Sequence, residues 1–202
     1  MPGTLPLRLP PADIHQRVLD IVSVRPEALI RVSRYNTGEP FFGRTGACRF
    51  DDVARQFGTC YLGFDLTVAF AESVLHNKEP GAGGFSVPGT EIDACYALSF
   101  TGNDLRLAKL YGAALLRLGG NGELSGTGDY ALPQAWASAL VAHPAQIDGF
   151  IYMSRRVNDA RAVVLFERND SVPLRIQLDQ DVALFDHVHY LVAKTTLAVT
   201  LT

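Results

Sequence analysis

Three positions combine a reactive residue type with surroundings that do not obviously call for it. Arg31 interrupts the apolar run Leu29-Ile30-Arg31-Val32. A guanidinium on a half-buried strand needs an anionic partner or a solvated face. Glu72 lies in Thr67-Val68-Ala69-Phe70-Ala71-Glu72-Ser73-Val74 and is the only carboxylate between Asp65 and Glu79. Ser154 ends Asp148-Gly149-Phe150-Ile151-Tyr152-Met153-Ser154, where a turn leads into a strand and a hydroxyl emerges beside Arg155 and Arg156. Each has a plainer reading: an outward Arg on an alternating strand, the polar face of an amphipathic helix, an ordinary strand exit. No His stands at a helpful spacing to make Ser154 a hydrolase nucleophile, and there is no GxSxG. Together, a guanidinium, a carboxylate and a hydroxyl could bind an anion and stabilise a developing cation.

The elements that must position them can be read coarsely. After Pro10-Pro11, apolar Ile14, Val18, Ile21 and Val22 suggest a helix over 12–23. Strands are expected at 28–32 and 60–63. The Arg-containing stretch 33–59 between them reads as a long loop, a feature often tied to function. Asp65 reads as the N-cap of a helix running to His76. A Gly/Pro loop follows over 78–88. A strand is expected at 94–100, then a helix over 104–118 stopped by Gly119-Gly120. Residues 121–132 read as a loop and 133–142 as a helix with Pro near its start. Strands are expected at 149–153 and 161–167, with one or two more between Val172 and the end. The elements mix without strict alternation, so the fold class expected is α+β. No GxGxxG or GxxxxGK[ST] appears in the context such phosphate loops require.

Composition narrows the classes. The chain has 202 residues, 48% hydrophobic and 19% charged, enough for a sizeable core and unlike a disordered segment. The apolar runs are too short to span a membrane. The start, MPGTLPLRLPP, lacks the apolar stretch of a secretory signal, so a cytoplasmic location is expected. A net charge of −3 supplies no basic field for nucleic acid. Fifteen of the eighteen basic residues are Arg, a bias that a G+C-rich genome or a need for phosphate-binding forks would equally produce. Cys48, Cys60 and Cys95 form no CxxC, so neither a disulfide framework nor a zinc site is expected. His187 and His189 would share one face of a strand, but no third ligand can be named, and no metal is expected.

The ordered set of motifs resembles the RES domain, a family named for its Arg, Glu and Ser. The set is Arg31, then Arg49-Phe50, Tyr61-Leu62, Ala71-Glu72, and Asp148-Gly149-Phe150-Ile151-Tyr152-Met153-Ser154-Arg155. The resemblance covers about 28–168. It treats 1–202 as a single RES domain with extensions at both ends. Two positions depart from the usual pattern: Arg49-Phe50-Asp51 stands where many members have Arg-Trp-Asn, and Cys48 stands where a Gly is usual.

The resemblance implies an ADP-ribosyltransferase-like fold, with mixed or antiparallel sheets, flanking helices and an NAD cleft. It implies a toxin of a bacterial toxin–antitoxin pair, held silent by an Xre-type antitoxin over the cleft. NAD⁺ would be the substrate, cleaved at the nicotinamide–ribose bond by water or phosphate, or used to transfer ADP-ribose to a host protein. Arg31, Glu72 and Ser154 would be the catalytic set. Arg31, Arg49, Tyr61, Ser154 and Arg155 would bind NAD⁺. Arg31 and Arg49 suit the pyrophosphate or ribose, Tyr61 suits the cationic nicotinamide ring, and Glu72 suits a ribose that becomes positive as the bond breaks. Ser154 suits positioning better than attack. Competing readings are a non-catalytic NAD or nucleotide-binding module, a thiol enzyme built on Cys48 or Cys60, and a nucleic-acid enzyme or binder such as a ribonuclease.

Overall fold

The computed structural model describes residues 6–167 and 176–202. Its centre is an eight-stranded sheet in the order β1-β6-β7-β8-β3-β2-β5-β9. The strands are β1 (Ile21–Val24), β2 (Ile30–Ser33), β3 (Gly58–Gly63), β5 (Tyr96–Gly102), β6 (Leu105–Leu110), β7 (Gly149–Met153), β8 (Arg161–Glu167) and β9 (Ile176–Ala183). Every neighbouring pair is antiparallel except β6 with β7. β4 (Phe85–Val87) and β10 (Val199–Leu201) form a separate parallel pair. The helices are α1 (Leu66–Ser73), α2 (Gly89–Asp93), α3 (Gly112–Arg117), α4 (Glu123–Gly126), α5 (Ala131–Val141) and α6 (Tyr190–Thr196). The molecule is therefore α+β, with a largely antiparallel sheet and flanking helices.

Alternation along β7 and β8 sorts their side chains between two cores. Ile151, Val163 and Leu165 point to one, with Leu98, Phe100 and Leu107. Phe150, Tyr152, Val164 and Phe166 point to the other, with Phe50 and Trp136. A third cluster packs Leu66, Phe70 and Leu75 around α1 against Leu184 and Ala193 near α6.

Several expectations need correction. Residues 12–23 are not a helix but a 3-10 turn, Ile14–Gln16, followed by β1. Ile21 and Val22 are β-branched and pair with Ala108 and Leu107, while Val18 stands exposed, so no apolar helical face exists. Residues 104–118 split into β6 and α3. Leu105 and Leu107 pack into one core and Ala108 and Leu110 into the other, so the strand is apolar on both faces and shows no alternation. The left-handed backbone of Gly112, φ 55°, separates the two elements. The expected loop 121–132 contains α4, and 78–88 contains β4. The tail carries α6 besides its strands; residues 172–175 lie outside the described residues. The strand expected at 28–32 begins after a 3-10 turn, Pro26–Ala28. β7 and β8 have the expected bounds.

Candidate active site

A cavity of about 310 Å³ opens between α1, the edge of β2 and β3, the end of β7 and the loop 34–57. Arg31, Arg49, Tyr61, Glu72, His76 and Tyr152 supply most of its chemistry. Four of the residues singled out in the sequence thus meet in one place.

Glu72 arrives there because β3 hands directly to α1. Asp65 caps the helix, its carboxylate accepting the Val68 N–H at 2.8 Å. Gly63 is needed at the junction. A Cβ there would sit 2.7 Å from the Ala69 nitrogen and 2.8 Å from the Asp65 carbonyl oxygen. The close approach seats α1 on β2 and β3 and turns Ala69, Glu72 and Ser73 toward the cavity, with His76 following in the turn beyond the helix.

Two neutral hydroxyls hold the Glu72 carboxylate. Ser154 donates to Oε1 at 2.5 Å and Tyr152 donates to Oε2 at 3.3 Å. Glu72 forms no direct ion pair among the described residues, and the Arg49 guanidinium is near enough to feel its charge. Burial, then the Glu72 carboxylate, pushes the Tyr152 phenol well above its ordinary range and keeps it a donor.

Ser154 is 1% exposed and does not line the cavity. Its oxygen accepts the N–H groups of Arg156 at 3.2 Å and Val157 at 3.0 Å while its proton goes to Glu72. All its hydrogen-bonding capacity is engaged, which suits positioning and leaves no free lone pair for attack. Arg156 donates to the His76 carbonyl oxygen, so the segment after β7 grips α1 at Glu72 and the turn that follows the helix at His76.

The loop 34–57 is tied down from within. The buried Asp51 accepts from Thr45 Oγ1 at 2.9 Å, Cys48 N at 3.1 Å and Thr59 Oγ1 at 2.5 Å. The Tyr61 hydroxyl accepts the Phe50 N–H at 2.9 Å and lies 3.4 Å from Asp51 Oδ1. Gln134 on α5 donates to the Gly46 and Cys48 carbonyls, each at 3.0 Å. Arg49 donates to Thr127 O at 2.6 Å, and its guanidinium lies 4.7 Å from the centre of the Tyr130 ring. Burial, with Arg155 also contributing, draws the Arg49 pKa below its ordinary value. Arg155 itself is exposed. It stands near enough to Arg49 to affect it but is not among the residues lining the cavity.

Burial raises the Cys48 thiol to about 11, with Asp51 adding to the shift, and raises Cys60 likewise to about 11. Neither is a thiolate at neutral pH, which removes the basis for a thiol enzyme. His187 and His189 stand 5.6 Å apart by ring centres, after a 3-10 turn and ahead of α6 rather than on a strand. Among the described residues no group of three or more His, Cys, Asp or Glu is placed to hold a metal ion. None of the helices there is long and apolar enough to cross a membrane.

The family model for the RES domain matches residues 27–186. The chain belongs to the RES domain family. All six candidate residues fall inside the matched stretch, and α6 and β10 lie beyond it. No curated protein matches the chain. Among solved structures, a chain in the crystal structure of the M. tuberculosis MbcT-MbcA toxin–antitoxin complex is similar, with a TM-score of 0.59 at 15% identity. The match covers 79% of this chain and 85% of that one. At that identity the likeness is one of fold.

In this RES domain the Phe at position 50 is fully buried. It meets Phe150 and Tyr152 edge-on, each with ring centres 4.9 Å apart, and so packs beneath the cavity. Sequence reasoning assigned no role to Tyr152, Asp51, Arg156, His76 or Glu39. Tyr152 and Asp51 lie within the quoted motifs, where a polar residue amid buried neighbours was the available signal. Glu39 sits in an irregular loop and gave none.

Proposed function

We propose that this RES protein is an NAD⁺-consuming toxin of a type II toxin–antitoxin system. It breaks the nicotinamide–ribose bond by hydrolysis or phosphorolysis, or passes ADP-ribose to a host protein. The observation that carries the reading is the Glu72 carboxylate, oriented by two neutral donors in a cleft that also holds two guanidinium groups. As the C1′–N bond breaks, its electron pair moves to the nicotinamide ring nitrogen and positive charge builds on the ribose. A fixed carboxylate stabilises that charge, and groups of this kind contribute about 3–4 kcal/mol in a water-poor site.

In this reading Arg49 and Arg31 bind the pyrophosphate and ribose, Arg155 adds charge at the rim, and the Tyr61 ring packs on nicotinamide. Catalysis falls to Arg31, Glu72 and Ser154, the last by holding Glu72. No metal takes part. An Xre-type antitoxin covering the cleft would silence the protein in its own cytoplasm. Membership of the RES family and the fold shared with a toxin–antitoxin structure support that partner.

The test is product analysis with purified protein and NAD⁺. Nicotinamide release with ADP-ribose as co-product identifies hydrolysis, and a requirement for phosphate identifies phosphorolysis. Release seen only with added cell extract, with ADP-ribose attached to a protein, identifies the transferase. Tight NAD⁺ binding with no release under any of these conditions would contradict the reading and favour a sensor.

A further inference from the structure

Arg31 reaches the cavity as a compensated cation. Its Nε lies 3.0 Å from Oε2 of Glu39, and its Nη1 donates to the Tyr61 carbonyl oxygen at 3.2 Å. The Glu39 side chain is wholly shielded from solvent. Its Oε1 accepts from Ser33 Oγ at 2.7 Å and its Oε2 accepts the Phe41 N–H at 2.7 Å. The Arg31 Nε–H is not aimed along a hydrogen bond to Glu39, so the contact acts through charge. Arg49 differs. Its partners are a carbonyl oxygen and an aromatic ring, and no carboxylate pairs with it among the described residues.

The cavity therefore brings together a carboxylate hydrogen-bonded by two hydroxyls and two guanidinium groups, one of which already has a buried carboxylate as its partner. Arg31 and Glu72 line the same cavity, and the charges that act on Arg31 are those of Glu39 and the neighbouring thiols.

We propose that Glu39 is a positioning residue for Arg31, a buried counter-carboxylate that fixes the guanidinium at the cavity wall and leaves it a directional donor to substrate. This rests on the NAD⁺ reading above. It divides the labour between the two cations. Arg49 supplies net positive charge for the pyrophosphate, and Arg31, neutral as a pair with Glu39, supplies hydrogen bonds to substrate in the cavity that Glu72 also lines.

The test is a double-mutant cycle of wild type, Glu39→Gln, Arg31→Gln and the double variant, with kcat, KM and thermal unfolding read for each. Glu39→Gln is expected to lower kcat about tenfold and to move KM less than about threefold. Adding it to Arg31→Gln should cost no further activity. It should also recover part of the folding stability that Arg31→Gln loses, since that variant strands a buried carboxylate. Losses that multiply, or a KM effect with kcat unchanged, would overturn the proposal. If Glu39→Gln fails to fold, Glu39→Asp, which keeps the charge and shortens its reach, is expected to show the same kcat effect in weaker form. A wild type that binds NAD⁺ but releases no nicotinamide contradicts the function proposed above. The same cycle is then read on NAD⁺ affinity, where coupled effects support the role of Glu39 and additive ones overturn it.

Discussion

Glu72 depends on two donors that differ in how much else they hold. Tyr152 gives one hydrogen bond, at 3.3 Å, from a residue that also faces the cavity. Tyr152→Phe should leave the fold intact and lower nicotinamide release about three- to tenfold, the equivalent of roughly 0.5–1.5 kcal/mol for one hydrogen bond. Ser154 also accepts two backbone N–H groups. Ser154→Ala strands both and should destabilise the protein by about 1–3 kcal/mol besides slowing turnover more than Tyr152→Phe does. Parallel rate assays and denaturant unfolding check both, and an inverted order would contradict the assignment. The thiols give a prediction of pH dependence. A pKa raised to about 11 favours the neutral form, so at pH 8 thiolate is only about a thousandth of Cys48 and Cys60. Brief alkylation at that pH should leave NAD⁺ cleavage unchanged, and loss of activity in step with Cys48 labelling would contradict this. At this scale the sequence exposed the residue types but not their pairing. Ser154 and Glu72 are 82 positions apart, and only the fold joins them. Glu39 stayed hidden because a loop carboxylate reads as solvated until its burial is known.

At the scale of elements, the β3–α1 junction sets where Glu72 points. Gly63→Ala forces a Cβ against the backbone of Ala69 and Asp65, neither of which can yield without moving the helix. A cost of about 1–3 kcal/mol is expected, with a loss of activity larger than the stability change alone explains. Unchanged turnover in a folded Gly63→Ala would contradict the role given to the junction. The elements that were legible have local punctuation. Asp65 caps α1, and β7 and β8 are β-rich runs bounded by turns. Those misread were decided by distant partners. β1 exists because β6 pairs with it, and β6 read as a helix because both of its faces are buried. The loop 34–57 read correctly as irregular. Its ordering around Asp51 was invisible because the hydroxyl and N–H donors that converge there are identified only by geometry.

At the scale of the whole molecule, the α+β class followed from the unordered mixture of strands and helices, and the strand order could not be read from it. The RES resemblance rested on short motifs far apart in the chain, which the fold gathers around one cleft. The proposed function makes this cleft the surface an antitoxin must block. Expression of the chain alone should deplete cellular NAD⁺ and arrest growth, and co-expression of its cognate antitoxin should restore both. The most direct test is nicotinamide release from NAD⁺ by the wild type beside Glu72→Gln, a change that keeps the size of the side chain and removes its charge. Release by the wild type that falls at least a hundredfold in the variant, roughly the 3 kcal/mol a fixed charge supplies, is the result predicted here. Equal release by both proteins would contradict the role assigned to Glu72, and with it the account of this site.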